Sequence, residues 1–142
     1  KSKEKKISSR EGMRHTVLTS PFYKAWVESC ERDIEEAKLA IKNRDFESLG
    51  LITERNGLMM HATMLGASPP FCYWEPDSVL AMKLVRELRK EGITCYFTMD
   101  AGPNVKILCR LSESDKIKNR LKEFFREEKI IITGPGPGIV LL

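Results

Sequence analysis

No segment of this 142-residue chain reads as a bilayer crossing. The apolar runs at 130–132 and 139–142 fall far short of the roughly 20 residues that a spanning helix needs. No basic stretch leads into an apolar one, so no secretory signal is read and no membrane partner is expected. The four cysteines, Cys30, Cys72, Cys95 and Cys109, contain no C-x-x-C pair, and no histidine falls at zinc-ligand spacing. They read as reduced thiols of a cytosolic protein, with no metal site. Internal repeats at solenoid periods are also absent. Net charge is scarce as well: 24 Lys and Arg stand against 20 Asp and Glu, which leaves +4. The first fifteen positions supply all of it, and from Thr16 onward the signs balance at 18 each. That distribution excludes a basic stripe along one face, so nucleic acid is not an expected partner. It suits an anion or phosphate held at one end.

What is present describes a folded domain. Hydrophobic residues make up 42% and charged residues 31%, a globular balance. A chain of this length buries roughly 70% of its unfolded surface without metal or disulfide staples. Because the first residue is Lys, the chain is expected to be a piece of a longer protein. Residues 1–15 read as an extended polar segment leading into the domain. Ser20-Pro21 is a helix-start signal, with Ser as cap and Pro at the first helical position. Phe22, Trp26, Cys30, Ile34, Ala37 and Ile41 then recur as one apolar face, predicting a helix over 21–43. After a break at Asn43-Arg44, Asp45 caps a second helix over 45–65, antiparallel to the first. On one side of it Gly50 and Gly57 would let two backbones approach closely. A Pro- and aromatic-rich loop, 68–76, precedes a third helix capped by Asp77 or Ser78 and closed by Gly92. Strands are predicted at 94–99, 104–111, 129–133 and 139–142, with a helix starting at Ser112 or Ser114 between the second and third. The order predicts an α+β fold, an antiparallel sheet with helices packed on one face.

Three polar clusters could carry chemistry. Asp100 ends an apolar strand and is followed by Ala101 and Gly102, whose small size leaves room for a ligand beside the carboxylate. Such a group can act as a base toward a substrate hydroxyl; D-A-G-P is equally the composition of a plain turn. Ser8-Ser9-Arg10, with Met13, Arg14 and His15, places hydroxyls beside a guanidinium fork, a good phosphate-binding set, or else forms a solvated basic tail. His61, near the end of the second helix, reads as a cap or packed residue before a catalyst. Gly134-Pro135-Gly136-Pro137-Gly138 lacks the Lys-Ser/Thr and the following helix of a phosphate loop, so it reads as a hairpin connection.

Taken together, M-H-A-T-M-L-G-A-S-P-P-F at 60–71, Y-F-T-M-D-A-G-P-N-V-K at 96–106 and I-S-S-R-E-G-M at 7–13 resemble the diphosphomevalonate decarboxylases, in the manner of the Gram-positive bacterial members. That family belongs to the superfamily of galactokinase, homoserine kinase, mevalonate kinase and phosphomevalonate kinase. The resemblance implies the ferredoxin-like C-terminal domain, 17–142, preceded at 1–16 by a basic strand or linker from an absent N-terminal ATP-binding domain. It further implies conversion of 5-diphosphomevalonate to isopentenyl diphosphate, with ATP consumed and CO2 released. Asp100 would be the catalytic carboxylate, and Ser9, Arg10 and Met13 would line the diphosphate pocket. ATP and Mg2+ would be held mainly by the absent domain, because the superfamily's Gly/Ser-rich phosphate loop is missing here. The chain alone is therefore expected to be inactive. A cytoplasmic homodimer is the assembly the resemblance implies. Two other readings stand beside it: a kinase of the same superfamily, against which Asp100 argues, and a non-enzymatic α+β ligand-binding module.

Overall fold

The structure is a computed structural model that describes residues 7–136 and 138. Its helices are α1 (Ser9–Thr19), α2 (Tyr23–Lys42), α3 (Phe46–Leu65), α4 (Pro76–Lys90) and α5 (Ser114–Lys122). Two strands, β1 (Cys95–Met99) and β2 (Val105–Cys109), form an antiparallel hairpin with Cys95 opposite Cys109 and Met99 opposite Val105. This is the α+β class expected. α4 and α5 cover one face of the hairpin, where Met82, Leu84, Val85, Leu88, Ile117 and Leu121 pack on Cys95, Phe97 and Met99. Gly92, at φ +90°, turns the chain from α4 toward β1 in a conformation that side chains rarely adopt.

α3 lies along the edge of β1 that faces away from β2. A stripe on the helix spaced four, three and four residues apart makes that fit possible. A Cβ on Gly50 would stand 1.9 Å from the Tyr96 ring, and one on Gly57 would stand 2.8 Å from the Thr98 hydroxyl. Between them, the Glu54 carboxylate accepts the Phe97 backbone N–H at 3.4 Å, giving a partner to a donor that no strand receives. Arg89 of α4 grips the same carboxylate with two nitrogens, at 3.0 and 3.1 Å, while its guanidinium lies over the Tyr96 ring. One buried acid thus ties α3, α4 and β1 together.

The structure departs from the sequence reading in four places. Residues 9–19 are helical, where an extended segment was expected. Ser8 caps that helix, its hydroxyl accepting from Glu11 N at 3.2 Å while its own N–H donates to the Glu11 carboxylate at 3.1 Å. Ser20 consequently ends α1 instead of starting α2. The inner face of α2 is also rotated from the apolar stripe. Trp26, Cys30 and Ala37 are half-buried, but Ile34 and Ile41 are exposed, and Ser29, Asp33 and Ala40 are buried in their place. Polar pairing sets that rotation: Asp33 accepts from Arg55 at 2.6 Å and from Asn56 at 2.9 Å on α3. α4 is capped by Glu75, whose N–H donates to Ser78 Oγ, instead of by Asp77 or Ser78.

Finally, 130–133 form no strand. Lys129 is drawn to Asp77 at the start of α4, at 2.8 Å, and Glu127 to Lys118 and Lys122 of α5, so the segment is tied to helices and not to β2. The strand expected at 139–142 lies outside the described residues.

The Glu54 node gives a direct test. Removing one member of a buried ion pair costs about 3–5 kcal/mol, because the other charge is left unpaired. Glu54→Ala should therefore lower the unfolding free energy by that order, read as a lower denaturant midpoint. Glu35→Ala, which removes an exposed partner of Lys38, should leave the midpoint unmoved. Equal effects would contradict a special role for Glu54.

Candidate functional site

The end of β1 positions Asp100. Its side chain is 79% exposed and pairs with Lys106 on β2, directly across the turn. Its backbone carbonyl accepts from Gly102 N at 2.7 Å, closing a tight turn through Ala101. That turn is anchored from outside: the buried Ser78 hydroxyl of α4 donates to the Pro103 carbonyl at 2.6 Å. A carboxylate held by a strand end, an ion pair and an anchored turn is presented to solvent in a defined direction.

Behind it, the last residue of the α3 stripe, His61, is 2% exposed and packs its ring at 5.4 Å from Trp74. Among the described residues, neither ring nitrogen of His61 has a formed hydrogen bond, and Trp74 Nε1 is likewise without a partner. Burial pushes the His61 pKa below its ordinary value, while the Met99 backbone and the Asp100 charge offset part of that shift.

α1 supplies the second half of the site. Its first turn leaves the backbone N–H groups of Ser9 and Arg10 without intrahelical acceptors, and both side chains are exposed. Met13, 62% exposed, lies one turn further along. The helix is clamped onto the aromatic loop at 68–76. Tyr73 donates to the Ser8 carbonyl at 3.2 Å, and His15 Nε2 meets the Pro69 carbonyl at 2.8 Å. At the far end of the helix, Ser68 N donates to the Thr19 hydroxyl at 3.0 Å. Gly12 faces Phe71 and Tyr73 so closely that a Cβ there would stand 2.7 Å from the Tyr73 hydroxyl. No direct contact joins Asp100 to Ser9, Arg10 or Met13 among the described residues. They are linked through the loop, whose Tyr73 holds α1 and whose Trp74 covers His61.

Sequence reasoning gave Lys106 no role beyond an outward strand position and did not see the Tyr73 clamp. For Lys106 a signal was available, since Asp and Lys flanking a short turn between two strands lie within diagonal reach of one another. An open groove of about 420 Å³ between α2 and α3, lined by Glu36, Asp45 and Arg55, touches none of these residues.

The His61 shift fixes a sign. A histidine whose folded-state pKa lies below its unfolded value gives stability that is fully present above about 6.5. That contribution is lost as pH falls toward the folded value. The melting temperature should therefore drop between pH 7 and pH 5, and His61→Phe should flatten that part of the slope. An unchanged slope would show that folding does not shift the titration of this ring.

The model of the mevalonate 5-diphosphate decarboxylase C-terminal domain matches residues 1–134. The mevalonate diphosphate decarboxylase from Enterococcus faecalis, solved in a study of mevalonate diphosphate-mediated ATP binding, is 52% identical. It superposes with a TM-score of 0.85, covering 87% of this chain and 39% of that one. A second structure of 52% identity, solved with MVAPP, AMPPCP and magnesium, superposes at 0.88 over 90% of this chain and 39% of its own. The diphosphomevalonate decarboxylase of Aspergillus fumigatus is 35% identical over 124 residues, 85% of this chain. This chain spans about a third of the length of such curated relatives, 31% in that case. It belongs to the family of mevalonate 5-diphosphate decarboxylase C-terminal domains.

Proposed function

We propose that this chain supplies the carboxylate-bearing half of an ATP-dependent decarboxylase that converts 5-diphosphomevalonate to isopentenyl diphosphate, ADP, phosphate and CO2. One observation carries the reading: the solvent-facing Asp100 carboxylate, held by Lys106 and an anchored turn on a chain of this family. The tertiary 3-hydroxyl of the substrate is a poor nucleophile. Asp100 orients it and accepts its proton as the γ-phosphoryl group of ATP is transferred. The phosphorylated oxygen then leaves as phosphate, and the electrons of the carboxylate bond form the double bond as CO2 departs. Positive charge develops at C3 during that step, and the adjacent Asp100 anion stabilises it.

Ser9 and Arg10 bind the diphosphate. Arg10 offers a bidentate fork, and the first turn of α1 adds backbone N–H groups aimed at the same anion. Met13 lines the pocket beside them. The solved relative with AMPPCP and magnesium supports ATP and Mg2+ as requirements of the full-length enzyme. Among the described residues no group of three His, Cys, Asp or Glu could hold a metal ion, so this reading assigns the ion to residues outside this chain.

Two variants of the full-length enzyme test the roles separately. Asp100→Asn is nearly isosteric and leaves ATP affinity in place, and kcat for CO2 release should fall on the order of 10²–10⁴-fold. Near-normal release at an unchanged melting temperature would refute the catalytic role. Arg10 contacts a remote group that changes little during the reaction. Arg10→Ala should therefore raise KM for 5-diphosphomevalonate more than it lowers kcat. An unchanged KM would remove Arg10 from the diphosphate site.

A further inference from the structure

Cys95 and Cys109 stand directly opposite one another in the hairpin. The main chain around them shows what kind of pair they form. The Cys95 carbonyl accepts from Arg89 at 3.3 Å, and two residues on the Phe97 N–H donates to Glu54. Alternate residues of β1 thus turn their backbone groups away from β2, which makes Cys95 and Cys109 a non-hydrogen-bonded pair. In that geometry the Cα atoms lie about 4.5 Å apart and the side chains approach most closely. A disulfide spans Cα separations of roughly 4.4–6.8 Å, so the site is within reach of one. Both side chains lie on the face that packs under α4, in one core cluster. Cys30 on α2 and Cys72 in the 68–76 loop sit on other elements, Cys30 beside Asn56 at 3.4 Å.

We propose that Cys95 and Cys109 are a dithiol site that small disulfides convert reversibly to a cross-strand disulfide. Cys109 is half-buried and Cys95 is fully buried, so Cys109 reacts first. Its thiolate attacks one sulfur of the small disulfide and expels the other as a thiolate. The Cys95 thiolate then attacks Cys109 Sγ and expels the second small thiol. Two protein thiols are oxidised and one small disulfide is reduced to two thiols. Excess small dithiol runs the sequence backward.

The surroundings make the exchange slow at neutral pH. Burial pushes the Cys95 thiol up to about 11; Arg89 of α4 opposes that, and Cys109, Glu113 and Glu54 add to it. Burial and Glu113 raise Cys109 as well. The rate follows the thiolate fraction and should climb as pH rises through the alkaline range.

The test is to incubate the native full-length enzyme with oxidised glutathione, quench with acid and map the cysteine peptides by mass spectrometry. A peptide linking Cys95 to Cys109, formed faster at pH 9 than at pH 8 and released by dithiothreitol, is expected. Cys95→Ser should stop the reaction at a glutathione adduct on Cys109, and Cys109→Ser should leave Cys95 unmodified. Cys72→Ser should still form the link. In the wild-type enzyme, a persistent adduct on Cys109 would overturn the proposal. So would recovery of both cysteines as free thiols, or a link that appears only after denaturation.

Discussion

Everything else in this fold depends on one helix face fitting against one strand edge. A two-stranded hairpin leaves outward N–H and C=O groups on each strand, and on β1 Glu54 of α3 and Arg89 of α4 supply partners to the Phe97 N–H and the Cys95 carbonyl. The requirement falls on three residues of α3. Gly50 and Gly57 bring the helix close enough, and Glu54 reaches the Phe97 N–H from between them. Had either glycine carried a side chain, the helix would stand off and Glu54 would reach neither the strand nor Arg89. A buried carboxylate is tolerated because its charge is spread over the bidentate Arg89, the more distant Arg86 and a backbone donor. The same stripe ends at His61, so the close fit that orders the sheet also sets what lies behind Asp100.

The site inherits its geometry from that fit in two steps. Along β1, the register carries Asp100 just past the end of the strand, within diagonal reach of Lys106, which stands opposite Thr98. Through Trp74, the His61 end of α3 meets the loop that precedes α4. That loop also grips α1, by Tyr73 on Ser8 and His15 on Pro69. Asp100 and the first turn of α1 are thus held by one continuous body without touching.

The parts of the fold governed by local pattern were legible. The alternation of 105–109, the glycine pair of α3 and the turn chemistry of 100–103 each reported directly on local geometry. Pairwise tertiary chemistry was less visible. The apolar stripe of α2 predicted Ile34 inward, but burying Asp33 with Arg55 and Asn56 turned the helix away from it. Ile130, Ile131 and Ile132 looked like a strand by composition. A strand exists only through its ladder, however, and the ion pairs of Glu127 and Lys129 lead that segment to the helices. The candidates Asp100, Ser9 and Arg10 were named from their residue types and from motif resemblance, whereas the neighbours of Asp100, namely Lys106, Ser78 and the buried ring of His61, emerged from the three-dimensional structure.

The most consequential misreading concerns the first residues, because it changes the physics of anion binding. As an extended segment, Ser9 and Arg10 would offer a hydroxyl and a guanidinium on alternating sides, and only one could face a given phosphate. As the first turn of a helix, they add free backbone N–H groups and a favourable dipole, while Ser8 and Glu11 complete the cap. The dipole is worth about 0.3–1 kcal/mol and a hydrogen bond to a charged group about 1.5–3 kcal/mol. A guanidinium contact to an anion would therefore outweigh the dipole, and the helix would chiefly set its direction. Glu11 works against both, since its carboxylate shares that turn. Its hydrogen bonds to Ser8 hold its pKa below the usual carboxylate range, so it stays charged. Tyr73 and His15 fix α1 on the 68–76 loop, so Arg10, exposed on its first turn, projects from a held helix end and not from a solvated tail.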